Sequence, residues 1–195
     1  NQTELSRAIE ILQKLHTSDV EVEHSFNIES LILFCEELCQ DHGAINFQDY
    51  SQVRVTMSEL LSILKPMDCP KKFSHIDPVA ENFLVLPDGK MKLIDWEYAG
   101  MCDPLIDLSM LAIYSRFDEE EVENLMETYF GREPKWDERL RVYAYMALGG
   151  FLWTLWAEYK QALGVTFGDY TLKMYRYAKD YYKKSMAVVK GRGQR

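Results

Sequence analysis

Apolar residues recur every three to four positions along most of this chain, and that period predicts a mostly helical protein. Residues 3–16 place Leu5, Ala8, Leu12 and Leu15 on one face behind Thr3, a residue type that caps helix starts. A second helix opens at Asn27 and carries Leu31, Ile32, Cys35, Leu38 and Cys39 on one face. A third spans about 46–65, through Val53, Val55, Met57, Leu60, Leu61 and Leu64, and ends before Pro66. Another follows Asp103-Pro104, with Asp103 as its candidate cap, and reaches about Tyr114. Residues 118–129 read as a surface helix whose Glu119-Glu120-Glu121 run is a solvated first turn; Gly131 and Pro134 break the chain after it. A long helix is predicted from Asp137 to Leu163, with an interruption or kink expected near Gly149-Gly150, and a last one from Asp169 to Val189. The remainder, 190–195 (KGRGQR), is expected to be disordered.

The helical period fails between Ser74 and Gly100. There, Phe83–Leu86 and Met91–Ile94 read as short apolar strands joined by Pro87-Asp88-Gly89-Lys90, where Pro sets φ and Gly supplies a positive one. A hairpin folded about Asp88-Gly89 brings Asn82 beside Asp95, since their numbers are symmetric about that turn. The same stretch reads His75-x-Asp77, Asn82 after four residues, then Asp95. This is the pattern of a phosphoryl-transfer loop. Its Asp orients, or takes the proton from, an attacking hydroxyl, and its Asn and later Asp hold Mg²⁺ against nucleotide phosphates. Asp77 and His75 are the catalytic candidates; Asn82 and Asp95 are the metal candidates. The plainer reading makes them turn and cap residues of a surface hairpin, but joining the motif through that hairpin to I-D-W-E-Y is far more specific than the motif alone.

The composition narrows the partners. With 195 residues, 47% hydrophobic and 27% charged, the chain is expected to form one soluble domain over residues 1–189. A net charge of −9 argues against nucleic acid or an anionic membrane and is compatible with a cationic substrate. No apolar run approaches the roughly 20 residues of a membrane span, and the first residues do not read as a signal peptide. Cys35, Cys39, Cys69 and Cys102 form no zinc-type spacing, and Cys35 and Cys39, four apart on one helix face, read as reduced core thiols of a cytoplasmic protein.

Three features keep two readings each. Asp107, set among Leu105, Ile106, Leu108, Met110 and Leu111, can brace the catalytic loop through backbone N–H groups or His75, or it can be a helix N-terminal charge. His16 reads first as a helix C-terminal residue favoured by the dipole, and second as a functional residue. Trp153 and Trp156, three apart in F-L-W-T-L-W, read as core or as an aromatic box for an ammonium group, with Glu97 as a nearby carboxylate.

Taken together, H-I-D-P-V-A-E-N-F (75–83), L-I-D-W-E-Y-A-G with D-P-x-x-D-L (93–108), F-L-W-T-L-W (151–156) and the early L-Q-K-L-H-T-S (12–18) resemble the choline/ethanolamine kinase family, most closely its bacterial LicA-like branch. The resemblance covers nearly the whole chain. It implies an α+β, predominantly helical fold: the C-terminal lobe of a kinase-like structure related to aminoglycoside phosphotransferases. It also implies transfer of the γ-phosphate of ATP to choline with Mg²⁺. Carried over, Asp77 is the base, Asn82 and Asp95 ligate Mg²⁺, and Trp153, Trp156 and Tyr98 line the choline pocket. A Tyr of the last helix belongs there too, for which Tyr170 is the candidate. Ethanolamine or an aminoglycoside as substrate, and a non-catalytic choline-binding module, are the alternatives. Two departures stand out. Position 76 is Ile where the family usually has Asn. The sequence also lacks a glycine-rich loop and a nucleotide-binding Lys before the first helix, so the N-terminal lobe is expected to be missing and the chain alone to turn over choline poorly.

Overall fold

Seven helices and four three-residue strands make up the described residues, 2–192, of the computed structural model. In chain order they are α1 (Gln2–His16), α2 (Ile28–Asp41), α3 (Tyr50–Leu64), β1 (Lys72–Ser74), β2 (Phe83–Val85), β3 (Met91–Leu93), β4 (Gly100–Cys102), α4 (Leu105–Tyr114), α5 (Glu119–Phe130), α6 (Trp136–Ala162) and α7 (Tyr170–Arg192); a 3-10 turn at Ala80–Asn82 precedes β2. Among the described residues no helix is long and apolar enough to cross a membrane.

The chain divides into two compact units. The first holds the residues through Phe26 together with Cys69–Val142. Its core is built from Ile9 and Leu12 of α1, Leu108, Met110 and Ile113 of α4, and Met126 of α5, all at most 2% exposed. α5 begins with a capping box: Asp118 accepts from the Glu121 amide and Glu121 accepts from the Asp118 amide. It stops at Gly131, whose φ of 64° a residue with a Cβ adopts only with strain. The second unit holds Asn27–Asp68 and the chain from Tyr143 onward, with Ile32, Met57, Leu60 and Phe151 fully or almost fully buried. Asn27 caps α2 by accepting from the Ser30 amide at 3.0 Å.

Several expectations change in detail. α3 begins at Tyr50 rather than near 46, because residues 44–46 are held outside the helix: the Asn46 amide and side chain both donate to Glu158. α6 runs unbroken for 27 residues. Gly150 does not interrupt it; a Cβ there would stand 2.7 Å from the Met174 carbonyl oxygen and 2.9 Å from the Ala178 nitrogen, so the glycine lets α7 lie against α6. α7 continues through Lys190-Gly191-Arg192, three residues into the expected tail; Gly193, Gln194 and Arg195 lie outside the described residues. The pairing of β1 with β4 had no sequence signal, since three-residue strands are too short to show alternation.

Candidate active site

One buried carboxylate holds the catalytic loop in place. Asp107 sits in the first turn of α4 with no exposed surface. It accepts the His75 amide at 2.8 Å and the Ile76 amide at 2.6 Å, two successive backbone donors, and His16 Nε2 at 2.9 Å. Both loop amides meet one carboxylate where Ile76 takes a φ of 75°, a conformation that costs a β-branched residue about 1–2 kcal/mol. The compensation is visible: Ile76 is fully buried, and the amides gain charge-assisted bonds. Asp107 is thus bonded to the loop backbone, not to the His75 ring. His16 in turn bonds Tyr129 Oη through Nδ1 at 2.7 Å, and Gln13 Nε2 donates to the Tyr129 carbonyl at 2.7 Å. His16 is the last residue of α1, as expected, and it also links that helix to α4 and α5, with 5% of its surface exposed. The available signal was its place four residues after Leu12, on the buried face of α1.

The His75 ring braces the loop against the hairpin. It is fully buried, and Nε2 donates to the Ile94 carbonyl at 2.8 Å. Trp96 meets the imidazole edge-on at 4.7 Å between centroids and stacks on Phe73 at 5.7 Å. With its Nε2 proton committed to the Ile94 carbonyl, His75 ties the loop to the segment just after β3. Its Nδ1 is the one buried side-chain nitrogen or oxygen without a hydrogen-bond partner among the described residues.

The hairpin pairs Phe83 with Leu93, Leu84 with Lys92 and Val85 with Met91. The Leu86 amide donates to the Lys90 carbonyl at 2.7 Å, which leaves a three-residue turn, Pro87-Asp88-Gly89, with Gly89 at φ 79°. The expected four-residue turn is one residue too long, and the register shifts by one. Asn82 pairs with Ile94, whose amide donates to the Asn82 carbonyl at 3.0 Å, and Asp95 is the next residue. Asp95 has a φ of 64°, a left-handed conformation that Asp tolerates better than most residues.

Asp77 is half-buried. Asn82 Nδ2 donates to its carbonyl at 2.9 Å and to Oδ2 at 3.3 Å, and Tyr114 at the end of α4 also hydrogen-bonds its carboxylate. Burial pushes the Asp77 carboxyl above the usual range and the negative charge of Asp95 adds to the rise, while the bonds from Tyr114 and Asn82 pull the other way. The donor set fits a hard divalent cation. The Asp77 and Asp95 carboxylates repel each other, and the Asn82 side-chain nitrogen is engaged by Asp77, which leaves its oxygen as the atom for a ligand. Among the described residues no three of His, Cys, Asp and Glu converge to hold a metal, so a cation here would complete its shell with phosphate oxygens or water. Glu97 is exposed and Tyr98 half-buried, in the segment leading from Asp95 to β4.

The second unit carries a row of aromatic rings. Trp153 meets Trp156 edge-on at 6.0 Å, Trp156 meets Phe167 at 5.3 Å, and Phe167 meets Tyr170 at 5.9 Å. Trp153 is 5% exposed and belongs to the core, while Trp156 and Tyr170 are half-buried. Lys160 Nζ stands 5.7 Å from the Trp156 centroid and 5.8 Å from that of Tyr159, so an ammonium already lies over this row.

The phosphotransferase enzyme family, APH, matches residues 2–143 of the chain. Protein LicA of Haemophilus influenzae is 28% identical over 185 residues, which cover 88% of this chain and 52% of LicA. The crystal structure of choline kinase LicA from Streptococcus pneumoniae superposes with a TM-score of 0.80 at 32% identity, covering 94% of this chain and 64% of that one. A crystal structure of LicA in complex with AMP gives a TM-score of 0.78 at 32% identity, over 94% of this chain and 63% of that one. The chain thus spans between about half and two thirds of the length of these relatives. It belongs to the phosphotransferase enzyme family, as a choline/ethanolamine kinase-like member of the kinase-like superfamily.

Proposed function

We propose that the chain is the catalytic and substrate-binding part of a choline kinase-type phosphotransferase, which moves the γ-phosphate of ATP to the hydroxyl of choline. The observation that carries this reading is the Asp107 carboxylate gripping two amides of a His-x-Asp loop whose Asn82 bonds Asp77 and pairs with Ile94, next to Asp95. In the reaction the choline O–H bond breaks and an O–P bond forms, while the bond from the γ-phosphorus to the β–γ bridging oxygen breaks and ADP leaves. Asp77 orients the hydroxyl and takes its proton; a carboxyl raised by burial is a better base than a solvated one. Mg²⁺, when bound, offsets the negative charge of the phosphates, and Asn82 and Asp95 are the residues that would hold it. His75 and Asp107 keep Asp77 in place. A LicA structure containing AMP supports a nucleotide as phosphate donor.

The aromatic row favours a quaternary ammonium. A trimethylated nitrogen has no N–H to donate, so ring faces suit it better than hydrogen-bond acceptors, at about 0.5–2 kcal/mol per ring. Trp156 supplies the accessible face, with the buried Trp153 packed edge-on against it and Tyr170, Tyr98 and Glu97 as further candidates. The four free thiols, three of them buried, are in keeping with a reducing cytoplasm.

Calorimetric titration of this chain with choline, ethanolamine and an amino sugar tests the substrate. The variants are Trp156→Ala, whose ring is half exposed, and Trp153→Phe, which keeps the buried volume. Choline should bind best, and Trp156→Ala should weaken it by about tenfold, the effect of one strong ring contact. Absence of saturable choline binding by the folded chain, or preference for the amino sugar, would overturn the assignment.

A further inference from the structure

The aromatic row of the second unit already carries a cation of the chain's own. Lys160 follows Trp156 by four residues on α6, a spacing that puts both on one helix face, and it follows Tyr159 directly. Its Nζ lies 5.7 Å from the Trp156 centroid and 5.8 Å from that of Tyr159. Both distances fall within the roughly 6 Å over which a ring face attracts an ammonium. Lys173 and Lys179 of α7 pair with Asp169 and Asp49, whereas among the described residues Lys160 pairs with no carboxylate.

The neighbouring rings make Trp156 the contested surface. Trp153 is buried and meets it edge-on. Phe167 packs against Trp156 at 5.3 Å, and His42 packs against Tyr159 at 5.1 Å. Trp156 is the half-buried member of the tryptophan pair, so it is the one a solute reaches, and Lys160 is the charge standing over it. An incoming ammonium and Lys160 cannot share one ring face, and at such a distance they repel. Moving Lys160 aside costs little. It lies in the last turn of α6, where the helix carbonyls favour a cation, and it is only half-buried, so a released side chain keeps the helix end and gains water. The contact is therefore a displaceable competitor and not a fixed part of the core.

We propose that Lys160 is a resident competitor for the Trp156 ring, which a quaternary ammonium ligand must displace and which lowers the affinity of the aromatic row for it. The inference rests on the reading of that row as an ammonium site.

The test is calorimetric titration of the full chain and its variants with choline and with tetramethylammonium, which lacks the hydroxyl. Lys160→Ala uncovers the ring and should tighten both ligands by about two- to fivefold, the occupancy of one exposed cation–π contact. Lys160→Arg keeps a cation over the ring and should give no gain. In a Trp156→Leu background, Lys160→Ala should change neither affinity, a result that a general effect on α6 would not produce. NMR reads the contact directly. The Lys160 ε-methylene protons should be shifted upfield by the ring, and either Trp156→Leu or saturating choline should return them to ordinary values. Affinities unchanged by Lys160→Ala, a gain that survives Trp156→Leu, or ε-methylene signals unmoved at choline saturation overturn the proposal and leave the ammonium reading standing. Binding of tetramethylammonium without choline counts against choline as the substrate and leaves the competition intact. Binding of neither ligand, by the chain or by Lys160→Ala, overturns both.

Discussion

Asp77 pays for its role with a destabilisation that can be measured as a function of pH. Its folded carboxyl binds a proton more tightly than the ordinary Asp of an unfolded chain, near 3.9. Between those two values folding takes up protons, so stability falls as pH rises, and the destabilisation is complete above the raised value. Asp77→Asn should therefore raise the melting temperature at pH 7, with each 1 kcal/mol appearing as about 2–4 °C. The gain should shrink as pH falls and vanish below about 4, where the unfolded carboxyl is protonated too. Thermal melts of both proteins across pH 3–8 check this; an equal or lower melting temperature for Asp77→Asn at pH 7 refutes it. Asp107 is the opposite case. Asp107→Ala strands two buried loop amides and His16, and a loss of at least about 3 kcal/mol is expected in urea unfolding. At this scale the placement was legible from spacing, because the hairpin brings Asn82, bonded to Asp77, opposite Ile94 and one residue from Asp95. Ile76 was not: nothing in a β-branched side chain announces a positive φ, which the bonds to Asp107 impose from 31 residues away.

Elements followed the sequence where periodicity is long and departed from it where a backbone contact decides. α2, α3 and α5 show their buried stripes plainly, while α4 and the middle of α6 are buried on every side. The hairpin was legible too, but its register was off by one, because Pro-Asp-Gly-Lys does not say whether three or four residues make the turn; the Leu86–Lys90 bond does. Gly150 was read as a break because glycine lowers helix propensity. It is instead a point of close approach to α7, which a single-helix pattern cannot reveal. Gly150→Ala tests the contact cleanly. Propensity alone would stabilise α6 by about 1 kcal/mol, whereas the Met174 carbonyl and Ala178 amide leave no room for a methyl. A net loss of about 1–3 kcal/mol, read as a lower urea midpoint, is expected from overpacking; a higher midpoint would show that the backbones part without cost. For α5, Asp118→Ala removes the cap and should cost about 1 kcal/mol in the same measurement.

For the whole molecule, the expected single lobe takes the form of two units stitched from alternating segments. Local periodicity carries no information about this, since each unit joins stretches more than 40 residues apart in sequence. Neither unit is a continuous piece of chain, and α6 contributes to both as one helix. Unfolding should therefore be cooperative. Urea curves read from Trp96 and Trp136 in the first unit should coincide with those from Trp153 and Trp156 in the second, using variants that keep one pair at a time. Separate midpoints would show two independently melting bodies.

The same stitching gives synthesis of this protein a timetable. α1 is translated ahead of α4 and α5, yet His16 meets Asp107 91 residues later in the chain and Tyr129 113 residues later. At about 5–20 residues per second, Leu12 and Ile9 remain without their partners for roughly 5–20 seconds after they are made. Over that interval the nascent chain presents an apolar helix face, a natural target for chaperones that wait at the ribosome exit. The loop at His75–Asn82 is made long before α5, whose Tyr129 bonds the His16 that meets Asp107, so this buried network is among the last features of the first unit to be completed.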